Sequence, residues 1–237
     1  MNGFFYGAAL QWRLDLRSRT MLIACYAVPL LFFAVMGGIF TSALPESRDT
    51  LVQSMTTFAV SMGALIGLPP SLAEIYGRDI KNVYQANGVP LSMGLILTNV
   101  SAFVHLLLMS LLLYAAAPAA FNAKIPEHPA AHFCGTTILI AVSLSIASVI
   151  GLAVKDTASS TLFSILLFLP SIMLSGIMFP MDLLPGPFAA VGRLFPATWG
   201  YTLLTEGFSW SLLGPLAGIF LAAAGLCIIL LRKIRMR

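Results

Sequence analysis

The sequence predicts an all-α membrane protein with six transmembrane helices, organised as one domain over residues 1–237. Three observations carry this. Hydrophobic residues make up 59% of the 237-residue chain and charged residues only 9%, against about 25% charge in soluble domains. Six stretches are long and apolar enough to cross a bilayer, which takes about 20 residues. Between the fifth and sixth lies a segment too apolar for water and too broken by proline and glycine to span.

Residues 1–20 come first. Phe4, Phe5, Ala8 and Trp12 recur at helical spacing, and Arg13, Arg17 and Arg19 cluster towards the end. This pattern predicts an amphipathic helix lying on a membrane surface, its arginines near anionic head groups. A basic segment before an apolar one also fits a secretory leader, but the apolar run is long for a cleaved one and five more spans follow.

The expected spans are 21–40, 52–71, 91–116, 134–154, 159–179 and 211–231. Lysine and arginine counts orient them. With the N-terminus inside, Arg13, Arg17, Arg19, Arg78, Lys81, Lys155, Arg232, Lys233, Arg235 and Arg237 lie inside and Arg48, Lys124 and Arg193 outside. Ten against three accounts for all 13 basic residues and is a clear positive-inside bias. Both termini are expected in the cytoplasm. The net charge of +4 therefore reflects membrane sidedness, and no nucleic-acid partner is expected.

The main inner loop, residues 72–90, is bracketed by Pro69-Pro70 and by Gly88-Val89-Pro90. Tyr76, Ile80, Val83 and Tyr84 form an apolar stripe, and Glu74, Arg78, Lys81 and Gln85 a polar one. Glu74 and Arg78 are spaced for an i,i+4 pair. The loop reads as a short helix that docks a cytoplasmic partner, because the other inner loop, around Lys155-Asp156, is very short.

The outer loops are too small for a receptor domain. His128 and His132 have i,i+4 spacing, but flanking prolines argue against a helix there, and no metal site is expected. Cys25, Cys134 and Cys227 each stand alone in apolar sequence and read as packing residues.

The sequence lacks the G-x-x-x-x-G-K-[ST], H-E-x-x-H and G-x-S-x-G patterns, so neither a P-loop ATPase nor a hydrolase is indicated. Apart from cysteines, His105 is the one ionisable side chain deep in an expected span, with Asn99 earlier on the same helix. Both are candidates for a transport pathway, together with Phe163 and Met173. So few intramembrane charges argue against proton or sodium coupling. Energy is then expected from a separate protein docked on residues 72–90. Gly63-x-x-x-Gly67, Gly214-x-x-x-Gly218 and Ser171-x-x-x-Ser175 provide for close helix packing.

The segment after the fifth span carries Pro180, Pro185, Arg193, Pro196 and Glu206. It predicts two short helices within 181–208, near 187–195 and 198–208. They would enter from the outer face and act as an outer gate.

Order and spacing resemble the membrane subunits of type-2 ATP-binding-cassette (ABC) exporters. The residues that carry the likeness are Gly88-Val89-Pro90-Leu91-Ser92, then Leu174-Ser175-Gly176-Ile177-Met178-Phe179-Pro180, Leu184-Pro185 and Leu194-Phe195-Pro196. The chain departs from the family pattern at Ile80-Lys81, where relatives often carry Gly-Thr. The resemblance implies a permease in a bacterial plasma membrane, paired with a second copy or a homologous permease. Two ABC ATPase subunits would bind ATP and Mg, so this chain would hold no cofactor and catalyse no reaction itself. Glu74, Tyr76, Arg78, Asp79, Lys81 and Tyr84 would couple it to the ATPase. Spans two and five would line the path, and spans one and five would form much of the dimer contact. The expected function is outward movement of an apolar or amphipathic drug, peptide or lipid. The alternative is a stand-alone ion-coupled or passive carrier.

Overall fold

The computed structural model describes residues 3–77, 80–178 and 180–235, and the described residues form helices and no strand. Helix α1 is Gly3–Asp15. Helix α2, Arg19–Ala43, begins at Ser18, whose hydroxyl caps the Met21 amide. Helix α3 is Leu51–Gly77, and α4 is the short Ile80–Ala86. Then come α5, Leu91–Phe121, and α6, Pro129–Ala153. Helix α7 is Thr157–Met173, capped by the Asp156 carboxylate on the Ser159 amide. Two short helices, α8 (Gly186–Gly192) and α9 (Pro196–Glu206), lead to α10, Trp210–Arg235.

Five of these, α2, α3, α5, α6 and α10, are long and apolar enough to cross a membrane. The fifth expected span ends early. Helix α7 has 17 residues, about 26 Å at 1.5 Å per residue, against a hydrocarbon core of about 30 Å. Pro170 weakens its last turn, and Gly176 then takes φ +90°, a left-handed conformation that turns the chain away.

Helix α3 is the centre of the bundle. Every residue of Leu51–Met62 is buried. The Phe58 ring stacks on Phe32 of α2, with centroids 3.6 Å apart, and meets Phe168 of α7 edge-on. Helices α2 and α3 each contain a π-helical turn, at Ile23–Ala27 and Gly63–Gly67. The two turns touch. Gly63 and Gly67 admit Met21, Ala24 and Cys25 of α2, so this small-residue motif packs inside the chain. By contrast, Gly214 and Gly218 of α10 have open space beside them. Cys25 and Cys227 are buried as expected, whereas Cys134 is exposed.

Apolar side chains also cover the outside. Leu31, Val35 and Ile39 of α2, Leu162, Phe163, Leu166 and Leu169 of α7, and Leu221 and Ile229 of α10 are exposed. Contiguous apolar surface of this kind is stable only against lipid or another apolar surface. Lys155, Lys81, Lys233 and Arg232 gather at one end of the bundle, hereafter the basic end.

Candidate functional site

At the basic end, α3 hands over to α4. Tyr76 is buried, and its hydroxyl donates a hydrogen bond to the Leu91 carbonyl at the start of α5. Gly94 of α5 leaves room for the rings of Tyr76 and Tyr84. Gly77 lies against the Lys155 carbonyl, where any Cβ would collide with that backbone. The end of α4 is closed by a 6→1 hydrogen bond from the Val89 amide to the Tyr84 carbonyl, with Gly88 at φ +67°. This left-handed closure favours glycine.

The stripe read from sequence therefore splits. Tyr76 and Tyr84 turn inward, while Ile80 and Val83 remain exposed, Val83 at 58%. Lys81 lines a small cavity with Lys155 and Lys233, and Glu74 of α3 is exposed. Arg78 and Asp79 lie outside the described residues. Within the expected helix over 72–90, the described residues up to Gly77 and those over Ile80–Ala86 are both helical.

At the opposite end, α9 is driven into the bundle. It buries Pro196, Ala197, Thr198, Gly200, Leu203 and Leu204, and a Cβ at Gly200 would overlap the Leu139 side chain of α6. Its start is tied to α8. The Thr198 hydroxyl donates to the Gly192 carbonyl at 2.6 Å, and the Trp199 indole N–H donates to the Arg193 carbonyl at 2.7 Å. Both short helices thus form close to their expected positions. Pro180, Arg193 and Glu206 meet around one cavity of about 420 Å³, with Ser175, Trp199 and Tyr201. Pro185 precedes α8, and Pro196 opens α9 as its first residue, where the missing N–H costs nothing.

The expected pathway residues separate. Asn99 and Ser148 exchange hydrogen bonds at 3.0 and 3.1 Å, tying α5 to α6. His105 is fully buried, its Nδ1 is 2.8 Å from the Tyr26 hydroxyl, and Trp12 of α1 stacks on it at 4.1 Å. Phe163 and Met173 face outward from α7.

Sequence reasoning missed two features. The first is Asp15, which α1 delivers next to His105. It is 4% exposed and accepts from the Gln11 amide at 2.9 Å. Burial raises its pKa above the usual carboxylate value, partly offset by Ser101, Gln11 and His105. The second is a set of buried hydroxyls. Ser160, Ser164 and Ser171 of α7, with Thr56 and Ser61 of α3 and Ser143 of α6, are buried without a hydrogen-bond partner. Spacing could have found the first three, since i, i+4 and i+11 share one helix face.

The family model described as ABC-2 type transporter matches residues 4–209 of the chain. No curated protein matches it.

Proposed function

The chain belongs to the ABC-2 type transporter family, and from that premise we propose that it is the permease half of an ATP-driven exporter. It is a multi-pass membrane subunit of an ABC transporter. In the proposed arrangement α7 completes a six-span topology, and the basic end with both termini faces the cytoplasm. Two ABC ATPase subunits supply ATP and Mg, and the permease acts with a second copy or a homologue. An apolar or amphipathic substrate moves outward, and α8 and α9 close the outer side as re-entrant helices.

The observation that carries this reading is α4. The helical stretch Ile80–Ala86 follows the anchored Tyr76 and Gly77 and is closed by Gly88, yet it leaves Ile80 and Val83 uncovered at the basic end. A rigid mount with an uncovered apolar face suits a lever that a partner pushes. In this reading Glu74, Arg78, Asp79 and Lys81 supply the polar rim of the contact, and Tyr84 braces it against α5.

The test is co-expression of the full chain with a candidate ATPase. Val83→Asp is expected to abolish co-purification and substrate-stimulated ATP hydrolysis while the permease still folds. Unchanged coupling in Val83→Asp and in an Arg78→Ala/Asp79→Ala variant would refute the docking.

One observation favours the competing reading of a stand-alone carrier. Asp15 and His105 form a buried ionisable pair of the kind that carries protons in transporters. That reading predicts transport in liposomes without any ATPase, lost in His105→Ala and in Asp15→Asn.

A further inference from the structure

The end opposite the basic one holds a second cavity, of about 410 Å³, distinct from the Pro180–Arg193 cavity. It lies between the turn Pro45–Asp49, the start of α3, residues 124–128, the start of α6 and the end of α9. The Lys124 amide donates to the Arg48 carbonyl at 2.9 Å, which ties the two loops into one wall. The volume is within the range of small-molecule sites, about 300–1,000 Å³.

Its polar lining joins three carboxylates, of Asp49, Glu127 and Glu206, to Gln53, His128, His132 and Thr205, with Lys124 as its one cationic side chain. Asp49 and Glu206 contribute carboxylates, and no ion pair to either is found among the described residues. Lys124 and Glu127, 3.9 Å apart and both exposed, neutralise one another at the rim. Two further groups are buried and unsatisfied. Gln53 is 8% exposed with Oε1 unpartnered, and His132 is 4% exposed with neither ring nitrogen hydrogen-bonded. A neutral imidazole always has one acceptor nitrogen. A buried polar atom left without a partner costs about 1–3 kcal/mol, so a ligand that supplies donors here relieves a standing penalty. Ile125, Pro126, Leu203 and Leu204 give the wall an apolar side.

We propose that this cavity binds an alkylammonium group. Its three N–H donors meet Gln53, His132 and a carboxylate, its charge is balanced by Asp49 and Glu206, and its hydrocarbon stem lies on Ile125, Leu203 and Leu204. Charge and donor count both matter: a neutral alcohol gives one donor and neutralises no carboxylate, and a quaternary ammonium has no N–H to give. A free soluble amine and the head group of an ethanolamine lipid carry the same chemistry. Because α9 supplies Glu206 to both cavities, occupancy here bears on the element that closes this end. The inference stands apart from the exporter reading and needs neither an ATPase nor a direction of transport.

The test uses the full chain in nanodiscs of phosphatidylcholine and phosphatidylglycerol, which carry no primary amine. Butylammonium is titrated by calorimetry. Saturable binding is expected, weakened at least tenfold in Asp49→Asn/Glu206→Gln, two exposed positions where folding is not at stake. Lys124→Gln is expected to bind as well or better. Repeating the titration in phosphatidylethanolamine nanodiscs assigns the source: a weaker apparent affinity means that the lipid head group occupies the site, and no change means a soluble amine. Equal binding of 1-butanol or tetramethylammonium, tighter binding of zinc, no binding, or no loss in the double variant would each overturn the proposal.

Discussion

Each end of the molecule carries a helical stretch, Ile80–Ala86 at one and Pro196–Glu206 at the other, and the two are used in opposite ways. Helix α9 is sunk into the bundle, with six buried residues and a glycine pressed on Leu139. Helix α4 packs Tyr84 inward against the core and turns Ile80 and Val83 outward. The same kind of element is part of the core at one end and a mounted surface at the other. The difference lies in the neighbours. Small residues at Ala197 and Gly200 let α9 approach α6 closely, whereas α4 meets mainly the ends of α3 and α5.

The contrast can be broken at α9. Gly200→Val places a branched side chain into Leu139, and overpacking of this kind costs about 1–3 kcal/mol. The thermal transition of the detergent-purified protein should fall markedly. An unchanged transition would mean that α9 is not embedded as described.

A smaller effect sharpens the other side. Tyr76→Phe removes the hydrogen bond to the Leu91 carbonyl and should cost about 1 kcal/mol. Because Tyr76 clamps the mount of α4, any coupling to a partner should weaken more than stability does. Thermal melting and partner-stimulated ATP hydrolysis, measured on the same preparation, separate the two.

The smallest effect concerns α1, which packs on α5. The raised pKa of Asp15 comes first from desolvation. A raised folded-state pKa means that the folded protein holds the proton more tightly. Its contribution to stability is fully present below the unfolded value of about 3.9 and is lost as pH rises through the folded value. Asp15→Asn should remove that dependence, so the melting temperatures of variant and parent converge at low pH and separate in the variant's favour as pH rises. A constant difference across pH would show that Asp15 is not buried in its ionisable form.

Much of this was legible in the sequence. Apolar length marked six spans, five of which form helices long enough to cross, because a bilayer demands about 20 apolar residues whatever their partners. Proline spacing and greasy composition after Pro180 marked α8 and α9. The histidine pair shows the limit. Pro129 was read as a helix breaker between His128 and His132, yet it is the first residue of α6, where a proline loses no hydrogen bond. His128 precedes the helix and His132 lies inside it, and the two reach the same cavity. The 72–90 stripe shows a second limit, since periodicity reported an apolar face but not which half of it the protein covers.

The sequence by itself determined that the chain lives in a membrane, where its spans fall, that basic residues gather at one end, and which family it resembles. These follow from hydropathy and charge, which act residue by residue against lipid and water. Only the tertiary structure decided that Asp15 meets His105, that α7 turns its serines inward and its leucines out, and that Gln53, His132, Asp49 and Glu206 surround one cavity. Those juxtapositions join residues 90 or more positions apart along the chain in two of the three cases. In a bilayer both faces of a helix may be apolar, so hydropathy alone does not say which face meets protein. Side-chain packing makes that choice.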